Sequence, residues 1–192
     1  MPIKNTTTAW GAISQLLHWL TLALLLTLAW IGLRMGNMPN GPDKIATYAT
    51  HKSLGLTLLA LVLLRIGWRL YAGSPADLRS TPAWQARIAH FTHLALYALL
   101  LAMPLSGWLL NSAAGFPLQW FGVFNLPPLS GQNDALHALA VQTHEVLFWT
   151  LAVLVLVHAA AAIQHHVFTG DATLARMLPR GWLAPPTEHP DA

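Results

Sequence analysis

The sequence predicts an all-α fold, a four-helix transmembrane bundle with both termini cytoplasmic. Three observations predict it. Of the 192 residues, 55% are hydrophobic and only 9% are charged, whereas a soluble domain carries about 25% charged residues. Four apolar stretches are long enough to cross a hydrocarbon core of about 30 Å, which takes about 20 helical residues. The charges are also unevenly placed, with none at all from Ile88 to Asn133.

The first span is expected at Ile13–Leu33. Its apolar run is too long for a signal-peptide core, includes His18 and Trp19, and has no clear small-x-small cleavage site, so it reads as a retained helix. The second, about Ala46–Gly67, carries Lys52 and Arg65 near its two ends, where long side chains can reach the interface. The third, Ile88–Leu110, contains Pro104, a kink that neighbouring helices tolerate in lipid. The fourth is Leu136–Ile163. Asn-Gly-Pro within Arg34–Ile45, and Gly-Ser-Pro and Thr-Pro within Trp68–Arg87, are turn signals between the spans. The third connection, Asn111–Ala135, holds Phe116, Trp120, Phe121 and Phe124. Pro117, Pro127 and Pro128 interrupt it, so it reads as an interfacial flap rather than a fifth span. Most of the nine tryptophans fall near predicted span ends, as an interfacial belt requires. One domain is expected over residues 1–180, followed by a disordered tail at 181–192.

Orientation follows from Lys and Arg. Lys4, Arg65, Arg69, Arg79, Arg87, Arg176 and Arg180 fall on the side of the two termini, and Arg34, Lys44 and Lys52 on the other. This excess places both termini in the cytoplasm. The basic residues form no stripe, so nucleic acid is not an expected partner; membrane lipid is. The chain has no cysteine, which excludes disulfides, thiolate metal sites, iron–sulfur clusters and thiol catalysis.

Ten histidines remain as the nitrogen ligands. His144 and His158 lie 14 residues apart in the fourth span. At about 1.5 Å and about 100° per residue, that spacing brings both rings to nearly the same face, about 21 Å apart in depth. Ionisable side chains inside a membrane mark function by default. In the predicted topology His18 shares a cytoplasmic-side depth with His158, and His51 shares an outer-side depth with His144. Each pair, His18 with His158 and His51 with His144, could give two axial imidazoles to one porphyrin iron, and any such haem is non-covalent because the chain has no cysteine. Such ligation leaves no open iron position, which favours electron transfer over oxygen binding.

Other residues admit more than one reading. A single membrane histidine can simply bond a neighbour's carbonyl. His93, three residues after His90 on the third span and at the depth of His18, remains open as a ligand on residue chemistry alone. His165 and His166 lie at the cytoplasmic boundary, and with His90 and His93 they admit a metal-binding alternative. His137 and His189 read as surface residues. Glu145 is the acid well inside a span; it could pair with Lys52, bond a ligand from behind, carry protons, or face the lumen. Arg65, Arg69 and Arg87 could hold haem propionates or anchor helix ends.

Several runs then resemble one family. Gln15-Leu-Leu-His-Trp19, His51-Lys-Ser-Leu-Gly55, Ala89-His-Phe-Thr-His-Leu94, Thr143-His-Glu145, His158-Ala-Ala-Ala-Ala162 with His165-His166, and Leu174-Ala-Arg-Met-Leu-Pro-Arg180 resemble the bacterial cytochrome b561 family over nearly the whole chain, from about Trp10 to Arg180. The resemblance implies a four-helix inner-membrane cytochrome with two b haems, ligated at His18, His51, His144 and His158, which demotes His93. It implies exchange of electrons between a donor and ubiquinone, and one type of relative oxidises superoxide and reduces ubiquinone. On that reading the expected activity is superoxide:ubiquinone oxidoreductase, with Lys44 and Lys52, together with Arg34, attracting the anion at the outer face. The flap Phe116–Phe124 is the candidate quinone wall. The alternatives are a membrane subunit delivering electrons to or from a soluble redox partner, and a histidine-lined metal transporter.

Overall fold

Four long helices carry the chain: α1 Ala12–Met35, α2 Pro42–Ala72, α3 Ala83–Ala113 and α4 Asp134–Gln164. A computed structural model describes residues 2–78, 81–179 and 182–183. Apart from Trp182 and Leu183, the expected disordered tail lies outside the described residues, as do Arg79 and Arg180. All four helices are long and apolar enough to cross a membrane. Leu26, Leu64, Phe91 and Leu156 are 58 to 69% exposed on them. Water would penalise that surface, whereas lipid is its natural solvent.

The helices begin and end where local chemistry lets them. Pro42 opens α2, where a proline's missing N–H costs nothing, so the helix starts before the expected Ala46. Asn133 caps α4, its Oδ1 accepting from the Leu136 amide at 2.9 Å. The α3 helix runs through Pro104 and closes at Gly115, whose φ of 77° admits the reversed bonds Phe116 N–H to Asn111 O and Gly115 N–H to Ser112 O. After α4 a π-helical turn, His165–Thr169, ends at Gly170 with φ 67°.

The chain divides into two compact units. The first comprises Met1–Trp19, Leu64–Leu96 and Ala152–Ala192. Its N-terminal loop folds onto α1: Asn5 Oδ1 accepts from the Gly11 amide at 2.9 Å and from Ser14 Oγ at 2.6 Å. Gly11 is obligatory there, since a Cβ would lie 2.5 Å from the Ile3 and Lys4 carbonyl oxygens. Trp68 Nε1 donates to Ser14 Oγ at 3.1 Å, joining α2 to α1. The C-terminal segment is strapped to α1 as well. Gln15 Nε2 donates to the Arg176 and Leu178 carbonyls at 3.2 and 3.1 Å, and Trp19 Nε1 to the Met177 carbonyl at 2.8 Å.

The second unit comprises Leu20–Leu63 and Tyr97–Leu151, and Leu28, Leu58, Val62, Leu100, Ala140 and Leu151 are buried in it. The expected interfacial flap is a short antiparallel hairpin, β1 Leu118–Trp120 paired with β2 Phe124–Leu126. Its turn puts Phe121 and Gly122 at φ 46° and 73°. Side chains of α2 hold it: Ser53 Oγ accepts from the Phe121 amide at 3.0 Å and donates to the Gln119 carbonyl at 3.3 Å, and Trp120 Nε1 donates to Thr57 Oγ1 at 3.0 Å.

Candidate functional site

Each unit brings one pair of the expected histidines together. In the first, the His18 and His158 rings on α1 and α4 have centroids 6.3 Å apart at an interplanar angle of 61°. In the second, His51 on α2 and His144 on α4 are 6.5 Å apart at 78°. A metal–imidazole bond is about 2 Å long, so two imidazoles on opposite sides of one metal have centroids about 6.3 Å apart. Both pairs fit a bis-histidine haem on this measure. His93 is also close, 5.4 Å from His158, shorter than the spacing of two imidazoles on opposite sides of one metal.

The backbone makes room for the rings. A Cβ on Gly32 would lie 3.3 Å from His51 Cε1, and one on Gly107 3.2 Å from His144 Cε1. Either is tighter than ordinary van der Waals contact, so these two glycines let a neighbouring helix lie against a histidine ring. The outer ring nitrogens differ. His144 Nδ1 is 2.9 Å from Ser106 Oγ. His18 Nδ1 is 2.8 Å from Arg65 Nη2, and a guanidinium can only donate. His51 Nδ1 is buried with no partner among the described residues, an unsatisfied polar atom that marks a site rather than a packed core.

The other expected residues fall as follows. Lys52 lies well inside α2 rather than near an end, and its Nζ donates to Asn111 Oδ1 at 3.1 Å rather than meeting Glu145, which is exposed on α4. Lys52 lines a cavity of about 220 Å³ together with Ala49, Phe116, Pro117 and Gln119. Lys44 Nζ bonds Asn40 Oδ1 at 3.2 Å. Arg65 reaches a histidine, Arg69 stands over the Trp10 ring, and Arg87 Nε donates to the Ala83 carbonyl of its own helix. His90 Nδ1 bonds the Ala86 carbonyl, and His165 Nδ1 bonds Asp171 Oδ2 at 2.6 Å. Among the described residues no three His, Asp or Glu side chains converge on a metal position. His137 is not a free surface residue: its Nδ1 meets the Leu110 carbonyl at 3.2 Å. His189 lies outside the described residues.

Sequence reasoning missed Ser106, Gly32, Gly107 and Asn111. A polar or glycine residue inside an otherwise apolar span was the available signal, but it does not say which histidine the residue meets.

Comparison with known proteins places the chain among relatives. The profile of the family described as prokaryotic cytochrome b561 matches residues 9–180. Cytochrome b561 homolog 2 of Escherichia coli (strain K12) is 33% identical over 185 residues, 93% of this chain and 95% of the relative. Cytochrome b561 homolog 1 of the same organism is 34% identical over 166 residues, 85% of this chain and 93% of the relative. A Yersinia pestis protein named probable superoxide oxidase CybB is 27% identical over 165 residues, 85% of this chain and 92% of that protein.

Proposed function

From the premise that the chain belongs to the prokaryotic cytochrome b561 family of membrane electron-transfer proteins, we propose that it carries two b haems in the bacterial inner membrane, termini in the cytoplasm, and moves electrons from superoxide to ubiquinone. The observation that carries the two-haem reading is the pair of ring spacings, 6.3 Å for His18–His158 and 6.5 Å for His51–His144, one in each unit. His18 and His158 would hold the cytoplasmic-side haem, and His51 and His144 the outer-side haem. When bound, each haem would supply a one-electron carrier held by its histidine pair.

The chain's own residues do the rest. Three helices, α1, α2 and α4, would supply the imidazoles, and apolar side chains around them would exclude water, leaving an electron there few competing reactions. Ligation through His18 Nε2 puts the ring hydrogen on Nδ1, opposite a guanidinium that only donates. Arg65, on the same side as His18, would suit a haem propionate.

Two observations support superoxide as the donor. One is the likeness to the Yersinia pestis protein. The other is Lys52, which follows the ligand candidate His51 directly and lines the cavity beneath Phe116. A small anion there would meet a cation and the edge of an electron acceptor together. Each superoxide gives up one electron and leaves as dioxygen; two such electrons and two protons convert ubiquinone to ubiquinol.

The test is a reduced-minus-oxidised spectrum with a pyridine haemochrome count on purified protein. We expect two b haems per chain, one lost in His144→Ala, one lost in His158→Ala, and both kept in His93→Ala. Folded protein without haem would overturn the reading. Superoxide-driven reduction of ubiquinone, followed on the same preparation, tests the donor and acceptor; its absence would leave the cytochrome but reject the substrate.

A further inference from the structure

We propose that Ser106 is a positioning residue for His144, holding its ring in the Nδ1–H tautomer so that Nε2 is bare and ready for a metal. The inference rests on the haem reading above and adds which side chain prepares one of the four ligands.

The argument is one of hydrogen counting. A serine hydroxyl has one hydrogen and two lone pairs. Ser106 is nearly buried on α3, and its Oγ donates to the Met103 carbonyl at 2.7 Å. With that hydrogen committed, Ser106 offers only a lone pair to His144 Nδ1 at 2.9 Å. With Ser106 accepting, the ring nitrogen facing it donates. A neutral imidazole with its hydrogen on Nδ1 has a free lone pair on Nε2, which is the form that binds a metal.

The same stretch of α3 also limits where the ring can go. The residue after Ser106 is Gly107, and a Cβ there would sit 3.2 Å from His144 Cε1 and 3.6 Å from Nδ1. One helix therefore supplies both the acceptor and the flat wall beside it. Neither of the other two outer nitrogens described above has this arrangement: His51 Nδ1 has no partner among the described residues, and His18 Nδ1 meets a donor. Ser106 thus makes the two members of the His51–His144 pair unequal.

An acceptor behind a ligating imidazole raises its basicity and favours the more oxidised metal. Removing the Ser106 acceptor should therefore raise the midpoint potential of one haem and leave the other in place.

The experiment is a spectroscopic redox titration of the purified full-length protein, wild type beside Ser106→Ala, Ser106→Cys and Ser106→Thr, with haem counted in each. Cysteine nearly keeps the volume and loses the acceptor strength; threonine keeps the hydroxyl. We expect Ala and Cys to raise one midpoint potential and not the other, by up to a tenfold change in the oxidised-to-reduced ratio, about 59 mV for one electron. Threonine should titrate like wild type. Loss of one haem from Ala and Cys but not from Thr would support the proposal equally. Two haems with unmoved potentials in Ala and Cys would overturn it, as would a shift in Thr matching that in Ala. Wild-type protein without haem would overturn the cytochrome reading itself, a separate outcome from either.

Discussion

Asp171 Oδ2 lies 2.6 Å from His165 Nδ1, and Oδ1 accepts from the Thr173 amide at 2.8 Å. Burial by itself would raise this carboxyl, but the Thr173 hydroxyl and amide and the His165 ring outweigh it and hold it below its usual 3.8. A carboxyl depressed by folding stabilises the fold above its unfolded value and loses that contribution as pH falls through the folded one. The segment that Gln15 and Trp19 strap to α1 should therefore hold from neutral pH down to about 3.8 and loosen only below it. Amide hydrogen exchange across 171–178 against pH checks this; Asp171→Asn should exchange faster at neutral pH and lose the acid dependence. An exchange rate that already climbs at pH 6 would reject it. None of this was legible in the sequence, where His165 read as a boundary residue or as one member of a metal-binding set. The four ligand candidates were legible, because an imidazole inside an apolar span has few uses.

Among elements, the helices and the hairpin contrast. Lipid leaves backbone groups no partner but their own helix, so length and apolar composition are enough to place α1 to α4. Ends move by a few residues because caps such as Pro42 and Asn133 set them, and caps act outside the apolar run. The hairpin has only three residues per strand and a turn that sets Phe121 at φ 46°, against its own preference. Its place is set by Ser53 and Thr57, contacts remote in the chain, in addition to the local antiparallel pairing of Trp120 with Phe124. Ser53→Ala should release the clip at a cost of about 1 kcal/mol. Limited proteolysis at the turn should then speed up while all four helices and the haem count persist. Unchanged cleavage would mean that Trp120 alone holds the hairpin.

For the whole molecule, the decisive physics is charge in a low-dielectric slab. Few charges are allowed, so those present carry a large share of the long-range field. Replacing Lys44 and Lys52 with Gln should slow superoxide-driven haem reduction by about tenfold at low ionic strength and flatten its salt dependence. Stopped-flow rates at several salt concentrations decide it; rates that match wild type would remove these two lysines from anion capture. The sequence by itself determined that the chain is all-α, that it has four spans, and that histidines at matched depths belong in pairs. Those facts follow from composition and from the fixed rise and rotation of a helix. Tertiary structure alone decided the rest. It put His93 at 5.4 Å from His158 and His18 at 6.3 Å. It set Gly32 and Gly107 against the His51 and His144 rings, gave Lys52 to Asn111 rather than Glu145, and put a serine hydroxyl beside His144 Nδ1. Helical periodicity assigns a residue its depth and face; which atom it meets depends on how neighbouring helices rotate and approach, and that is not encoded locally.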